Sequence, residues 1–356
     1  MGNKFLYVDD EPQKAKGIIK PIEDAELIFD VESPKTWNDQ KSYLIESKKL
    51  NEYDGLLLDL KLQFTDNHNN DIKYKGSDLA QSIRTDVKTG KIKDLPIFLC
   101  STDTLMISIL DRTSYDLFDK KYEKDEFSSN ENIKCEFISF AEAYQLLNHK
   151  NDFKSIMGKD LEDDELLPLQ IELSKCQTPH EVVYLINNYV IKYNGLLLDE
   201  ELLAIRLGIN HKKSKDWSKL KDEILNEFKY KGILNGCYDR WWQSDLLRWW
   251  KITFETSLKV LPASAKVEAL IKKFGYSNIT FLSLPENHRF DTFWYKCRLS
   301  ENPLEPSDAL RTIEMPRFVW QEPSYISFAY LKSEERVRED IIPFLGANEL
   351  RIFETL

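Results

Sequence analysis

Short apolar runs separated by longer mixed stretches mark the first 150 residues of the chain. The runs lack the polar alternation of a half-solvated sheet, and the stretches between them are long enough for helices. We therefore predict five buried parallel strands alternating with helices, at 5–8, 26–31, 55–58, 96–100 and 117–119. This pattern is typical of a doubly wound α/β domain, whose ligand sites lie outside the carboxyl ends of the strands.

Polar side chains follow four of these runs directly. Asp9 and Asp10 come after the first run, Asp59 after the third, Ser101 after the fourth and Lys120 after the fifth. Carboxylates can bind Mg²⁺, and a carboxylate can attack phosphorus while cations neutralise the phosphoryl oxygens. Taken alone, an acidic pair is usually a solvated loop and an Asp after a run often caps a helix. The ordered set favours a phosphorylation site.

With these residues, positions 1 to about 150 resemble the receiver domain of two-component response regulators, which has a flavodoxin-like fold. The resemblance implies that Asp59 is the phosphoacceptor and that Asp10 is a direct Mg²⁺ ligand. It also implies that Asp9 acts at the metal mainly through water, and that Asp59 and the backbone carbonyl of Lys61 complete the protein ligands.

The same resemblance assigns the remaining two positions. Ser101 stands at the switch hydroxyl of the family, and Lys120 stands at the lysine that pairs with the phosphoryl group. Where many receivers have an aromatic switch residue on the last strand, this chain has Leu117. The usual proline after the lysine is Lys121, and Thr102 fills a position that is often smaller.

A polar stretch from 60 to 75 is longer than the family usually has between the phosphoacceptor and the glycine of its third helix, here Gly76. It omits the family's proline and contains the segment 66–71, which is rich in Asp and Asn. We favour a tolerated surface insertion, because lengthening a loop costs little closure entropy. The alternative is a lid that alters access to the phosphoryl group.

Three regions are expected along the chain. A closing helix of the first domain is expected to begin at Ser139, because 139–142 has the spacing of a capping box. An acidic stretch at 160–165 then reads as a linker. We predict a receiver domain at 1–155, a mainly helical domain at 160–260 and a mixed α/β region at 261–356.

Composition limits the classes of function that the chain can have. The chain has 356 residues, of which 42% are hydrophobic, enough for two or three cores. Its first residues lack a signal-peptide core and no apolar segment is long enough for a bilayer, so we expect a cytoplasmic protein. Five widely spaced cysteines without a CxxC pair indicate neither a disulfide framework nor a zinc site. No P-loop, dinucleotide fingerprint or kinase ATP site is evident.

The second half is less informative. Helical spacing predicts helices at 166–176, 181–192, 199–207, 217–228 and 264–274, and apolar composition suggests strands at 279–284, 292–299 and 325–331. Residues 206–259 contain twelve Lys or Arg against seven Asp or Glu, so a basic face that contacts phosphates stays open beside a solvated loop. Paired tryptophans at 241–242 and 249–250 recur at helical spacing, which favours packing over base stacking.

The leading interpretation is a response-regulator-like protein. A histidine kinase or phosphotransfer protein would phosphorylate Asp59, and the new charge would switch contacts with an effector protein or a second copy of the chain. No separate catalytic domain is recognised, and nothing suggests a membrane partner. Two alternatives stay open: a DNA-binding regulator acting through 206–259, and a phosphate sink or effector of a bacterial defence system.

Overall fold

The computed structural model describes residues 2–65, 71–102, 106, 114–160, 164–286, 288–314, 316–333 and 338–355. The chain forms two compact units. Unit 1 comprises Met1–Asn188 and Lys231–Tyr238, and unit 2 comprises Tyr189–Tyr230 and Asp239–Leu356. The predicted domain boundary at 155–160 therefore falls within unit 1, and the predicted domain boundary at 260 falls within unit 2.

Unit 1 is a mixed α/β structure. Its strands are β1 (Asn3–Val8), β2 (Leu27–Glu32), β3 (Gly55–Asp59), β4 (Lys61–Thr65), β5 (Asp71–Lys75), β6 (Ile97–Ser101) and β7 (Lys120–Glu123). Its helices are α1 (Pro12–Ile19), α2 (Trp37–Lys41), α3 (Gly76–Lys88), α4 (Glu126–Ser129), α5 (Asn132–Leu147), α6 (Phe153–Met157), α7 (Leu167–Leu173) and α8 (Pro179–Ile186).

Five of the strands form one sheet in which every pairing is parallel, with the order β2-β1-β3-β6-β7. The sequence prediction of a five-stranded parallel sheet is thus confirmed. In its register Val8 lies beside Leu58, and Asp59 lies beside Cys100. Because parallel strands end at the same edge, the polar residues after β1, β3 and β6 meet there.

Both faces of this sheet are covered, which explains why its central strands are apolar throughout. On one face, the ring of Phe5 lies 5.9 Å from that of Phe98 and 4.9 Å from that of Phe137 on α5, centroid to centroid. On the other face, Leu58 and its neighbours belong to a buried cluster that includes Leu79 of α3. The strand ends therefore project from a closely packed scaffold.

The insertion after Asp59 contains a β-hairpin. Strands β4 and β5 pair antiparallel, with Lys61 opposite Lys75 and Thr65 opposite Asp71. Residues 66–70 of the predicted insertion lie outside the described residues. The hairpin returns the chain to Gly76, whose amide donates to the Leu60 carbonyl at 2.9 Å.

The last strand of the sheet is displaced from the predicted position. The expectation of a strand at 117–119 is wrong, because Leu117 ends a 3₁₀ turn and the Asp119 side chain binds the start of β6. The Asp119 carboxylate accepts from the Ile97 amide and from Arg84, each at 2.8 Å. The strand begins at Lys120, directly after Asp119. It is an edge strand in which Tyr122 is the one buried residue, so it has no apolar run.

The closing helix also begins earlier than predicted. Helix α5 starts at Asn132, so Ser139 lies in its interior and the capping-box prediction is wrong. The amide of Asn132 donates instead to the Asn130 side chain at 3.0 Å. Ser139 is buried, because the helix packs its aromatic face against the sheet on both sides of that position.

Unit 2 contains short strands and short helices. Its strands are β8 (Leu197–Leu198), β9 (Trp241–Trp242), β10 (Tyr295–Lys296), β11 (Pro303–Leu304), β12 (Ala309–Arg311) and β13 (Tyr325–Ser327). Its helices are α9 (Glu200–Arg206), α10 (Trp217–Glu223), α11 (Gln243–Phe254), α12 (Ala263–Phe274), α13 (Phe328–Lys332), α14 (Arg338–Ile341) and α15 (Ala347–Thr355).

The helical predictions for the second half hold better than the strand predictions. Helices α7, α9 and α12 lie where helices were predicted, and the Asp199 side chain caps α9 by accepting from the Leu202 amide at 2.7 Å. The predicted strand at 279–284 is wrong, since only an isolated bridge from Phe281 to Ile209 occurs there. Strand β13 ends at Ser327, where α13 follows.

Among the described residues, no helix combines the length and the apolar character needed to cross a bilayer.

Candidate functional site

Asp9, Asp59 and Lys124 meet at the carboxyl edge of the parallel sheet. The Lys124 ammonium lies 3.0 Å from Asp59 Oδ1 and 3.1 Å from Asp9 Oδ2. Both carboxylates are almost fully buried, while about a quarter of the Lys124 side chain is exposed. One cation therefore bridges two buried acids that come from different strands.

Lys124, rather than Lys120, is the lysine beside Asp59. It directly follows β7, and its amide donates to the Ser101 carbonyl at 3.1 Å. Burial lowers its pKa, but the charges of Asp59 and Asp9 outweigh burial and raise it well above the ordinary value. The ammonium is thus held in its charged form, as a phosphoryl-binding cation needs to be.

Lys120 takes part in a different cluster. Its ammonium lies 2.5 Å from Glu136 Oε1 on α5, and the hydroxyls of Tyr122 and Tyr238 each donate to the same carboxylate at 2.7 Å. The structure therefore pairs Lys120 with Glu136, whereas the lysine that contacts Asp59 is Lys124. The assignments of Leu117 and Lys121, which were counted from Lys120, lose their basis with it.

The two carboxylate oxygens of Asp59 have different partners. Its Oδ2 accepts from the Lys61 amide at 2.8 Å, whereas Oδ1 lies 3.0 Å from the Lys124 ammonium. Burial raises the pKa of Asp59, Lys124 opposes that rise, and the charge of Asp9 adds to it. A buried carboxylate held beside a cation can act as a nucleophile.

Asp9 is held in a fixed orientation. Its Oδ1 accepts from the Glu11 amide at 2.7 Å, and its Oδ2 accepts from the Tyr7 hydroxyl at 2.7 Å as well as from Lys124. Tyr7 belongs to β1, so the sheet itself positions this carboxylate. The sequence analysis did not single out Tyr7, although its place two residues before Asp9 puts both side chains on one face.

Asp10 is half-buried beside the other two acids. Burial first, and then the charges of Asp59 and Asp9, raise the pKa of Asp10 from 3.8 to about 6. The three carboxylates thus face a single ammonium, and their mutual repulsion is incompletely neutralised. Such a set attracts a further cation.

The donor chemistry of these residues fits Mg²⁺, which prefers oxygen ligands and retains water. Asp9, Asp10 and Asp59 supply carboxylate oxygens at one edge, and Lys124 is the cation that two of them contact. The described residues hold no ready cluster of three or more His, Cys, Asp or Glu in metal-binding geometry. The fit therefore rests on donor type and charge.

Ser101 ends β6 with its hydroxyl buried at the same edge. Among the described residues its Oγ atom has no hydrogen-bond partner, an arrangement that is costly for a buried hydroxyl. The next residue, Thr102, is exposed. A phosphoryl oxygen arriving near Asp59 would give the Ser101 hydroxyl an acceptor.

Gly76 allows the third helix to begin directly against Asp59. A Cβ atom at this position would lie 2.3 Å from the Asp59 carbonyl oxygen, closer than any real side chain approaches. The backbone of α3 therefore packs against the end of β3. Through this contact, the end of the inserted hairpin packs directly against Asp59.

The aromatic and basic segment of 206–259 is largely built into unit 2. Trp241, Trp242 and Trp250 are buried, which confirms that this composition serves packing rather than an exposed stacking surface. Lys212 and Lys213 are exposed in a turn between α9 and α10. Further exposed cations of this region lie on helices, Lys219 on α10 and both Arg248 and Lys251 on α11.

Comparison with known proteins assigns no family. No protein-family model matches the chain, and no curated protein matches it. One solved structure, a fusion that carries amino acids 181–211 of the yeast Spc42 trimeric coiled coil, is 16% identical and covers 53% of this chain and 97% of its own. Its TM-score of 0.28 does not establish a shared fold.

Proposed function

We propose that unit 1 is a receiver-like phosphoacceptor domain, which takes a phosphoryl group on Asp59 from a histidine kinase or phosphotransfer protein. The observation that carries this proposal is the Lys124 ammonium between Asp59 and Asp9 at the carboxyl edge of the sheet. The strand order, which runs 2-1-3-4-5 when the five sheet strands alone are numbered, is that of flavodoxin-like folds and supports it.

In the proposed reaction, Asp59 Oδ1 attacks the phosphorus atom and forms a new P–O bond. The bond from phosphorus to the donor nitrogen breaks, and the donor imidazole keeps the electron pair. Lys124 neutralises the charge of the phosphoryl oxygens, and Ser101 donates its hydroxyl proton in a hydrogen bond to one of them. The amide of Lys61 keeps the other Asp59 oxygen in place.

Mg²⁺ is the proposed cofactor. Asp9, Asp10 and Asp59 would hold it, with the Lys61 carbonyl as a further ligand, and it would supply positive charge to the phosphoryl oxygens. The raised pKa of Asp10 supports this assignment, because it reflects burial first and then the charges of Asp59 and Asp9, which Lys124 only partly offsets.

The proposed output is a change in protein contacts. Lys231–Tyr238 belongs to unit 1 although it lies late in the chain, and Tyr238 donates to Glu136 beside β7. A shift of β7 on phosphorylation would reach this contact through Lys120, which shares the Glu136 carboxylate. DNA binding through the exposed lysines near 212 is the alternative output, and it predicts salt-dependent duplex binding.

The experiment that tests this function is treatment with a small phosphodonor, with and without Mg²⁺, followed by intact mass measurement. The wild type is expected to gain one acid-labile phosphoryl group only when Mg²⁺ is present. Asp59→Asn is expected to gain none, because an amide is not a nucleophile toward phosphorus. Equal labelling of both proteins would contradict the proposal.

A further inference from the structure

Two cysteines that are far apart in sequence meet in unit 1. Cys135 lies on α5 and Cys237 lies in the segment Lys231–Tyr238. The Cys135 thiol donates to the Gly236 carbonyl at 3.1 Å, across 101 sequence positions, and Gly236 directly precedes Cys237.

The backbone around Cys237 is held in place by other contacts. The Ile233 amide donates to the Ile156 carbonyl at 2.8 Å, and the Tyr238 hydroxyl donates to Glu136. Leu234 has a φ of 66°, a left-handed conformation that is rare for a leucine, and its side chain is buried. A turn fixed on both sides of Cys237 keeps the two thiols together.

The surroundings of the other three cysteines differ. Cys100 and Cys297 are buried, and the half-buried Cys176 has its sulfur against the Glu172 carbonyl of its own turn. Cys135 and Cys237 are both half-buried, so a small reagent can reach them. All five are free thiols in the structure.

We propose that Cys135 and Cys237 are a redox-sensitive pair that forms a reversible intramolecular disulfide, with a low-molecular-weight disulfide as the oxidant. The proposal rests on these contacts alone and is independent of phosphorylation at Asp59. Pairs of this kind in reducing compartments are usually transient and redox-sensing.

The chemistry is thiol–disulfide exchange in two steps. The Cys135 thiol loses its proton, and the thiolate attacks one sulfur of oxidised glutathione, which releases one glutathione thiolate. The Cys237 thiolate then attacks the Cys135 sulfur of the mixed disulfide and releases the second glutathione. Two protein thiols are oxidised to one disulfide, one oxidised glutathione is reduced to two thiols, and the released thiolates take up the two protons.

The order of the steps follows from the surroundings of Cys237. Burial first, and the neighbouring Cys135 thiol second, raise the pKa of the Cys237 thiol. Cys237 is therefore the poorer initial nucleophile, but it is the resolving thiol in an intramolecular step that its position favours. Cys135 is expected to carry the transient glutathione.

Oxidation would tie a late segment of the chain to α5. The bond would close a loop of about a hundred residues, and a constraint of that length disfavours the unfolded chain. It would also fix Tyr238 next to Glu136, the residue that pairs with Lys120.

The test is to equilibrate the full chain with graded ratios of reduced and oxidised glutathione in the presence of a chelator. Free thiols are then labelled with N-ethylmaleimide, and the protein is measured by intact mass and peptide mapping. The expected result is a loss of two labels with a peptide that links Cys135 to Cys237. Five labels at every ratio, or a link between other cysteines, would overturn the proposal.

Three variants make the test specific. Cys135→Ser and Cys237→Ser are each expected to lose the linked peptide, and Cys237→Ser is expected to accumulate glutathione on Cys135. Cys176→Ser is the matched control and is expected to form the link as the wild type does. Melting of the reduced variants checks that each is folded, and a link that persists in a folded Cys237→Ser protein would contradict the assignment.

Discussion

The ammonium of Lys124 lies 3.0 Å from the Oδ1 atom of Asp59. The same ammonium contacts Asp9, so it links the ends of β1 and β3. This geometry separates two lysines that the sequence alone does not distinguish. Lys124 contacts Asp59 and Asp9, and Lys120 contacts Glu136 on α5.

Replacing Lys124 is expected to impair phosphorylation more than replacing Lys120. Lys124→Ala removes the cation beside the attacking oxygen, and loss of one preorganised electrostatic partner typically slows a reaction about 100-fold. Lys120→Ala is the matched control, because it removes the same charge from the same strand region but leaves Asp59 untouched. Rates of labelling at saturating phosphodonor provide the measurement. Equal slowing in both variants would contradict the placement of Lys124.

The contribution of Asp10 to the stability of the metal-free protein is expected to fall as pH rises from about 4 to about 6. The pKa of Asp10 is about 6 in the fold against an ordinary 3.8, so the folded state holds this proton more tightly than the unfolded state. Ionisation above that window therefore costs stability, on the order of 1 kcal/mol for a half-exposed group once screening is considered.

Asp10→Asn is expected to remove this part of the pH dependence, while Asp125→Asn, the same charge change at an exposed position, is expected to retain it. Urea unfolding at a series of pH values with a chelator present measures the effect. Mg²⁺ is expected to stabilise the wild type more at pH 7 than at pH 5, and Asp10→Asn less. Identical pH profiles for the two variants would refute the assignment of Asp10.

Ser101→Ala is expected to leave the unphosphorylated fold as stable as the wild type, or to stabilise it by up to about 1 kcal/mol. The buried hydroxyl has no hydrogen-bond partner in the part of the chain that the structure describes, so its removal relieves an unsatisfied group. Labelling of Asp59 is expected to persist, but the accompanying change in hydrogen exchange is expected to shrink. Thr102→Ala, which alters an exposed hydroxyl next to it, serves as the control. A marked loss of stability in Ser101→Ala would indicate a structural partner.

Gly76→Ala is expected to destabilise the fold by about 2 kcal/mol and to slow labelling of Asp59. Its Cβ would meet the Asp59 carbonyl oxygen at 2.3 Å, and overpacking against backbone is not readily relieved. Gly17→Ala is the matched control, because a Cβ there meets nothing within 4 Å inside α1. The control is expected to gain roughly 0.5–1 kcal/mol from lower chain entropy. Thermal melting of both variants tests the pair.

The central strands and four of the site positions could be predicted from the sequence. Asp9 and Asp10 follow β1, and Asp59 and Ser101 end β3 and β6. These strands are buried on both faces, and such strands are continuous apolar runs with visible ends. The edge strand β7 has only Tyr122 buried, so its sequence has no apolar run. The apolar pair Leu117 and Phe118, which comes just before it, led to the prediction of Lys120 instead of Lys124.

Contacts that join distant segments could not be predicted locally. The pairing of Cys135 with Cys237 depends on a turn more than a hundred positions later that belongs to unit 1. The early start of α5 was missed for a related reason. Ile133 and Phe137, near the start of this helix, are buried. Their burial depends on tertiary packing and leaves no capping signal in the sequence.

The most direct measurement of the central claim is chemical identification of the phosphorylated residue. Borohydride reduction of phosphodonor-treated protein converts an aspartyl phosphate to homoserine, which peptide mass mapping locates. The account predicts homoserine at position 59 alone, dependent on Mg²⁺ and absent from Asp59→Asn. Homoserine at position 9 or 10, or a labelled protein without homoserine at position 59, would contradict it.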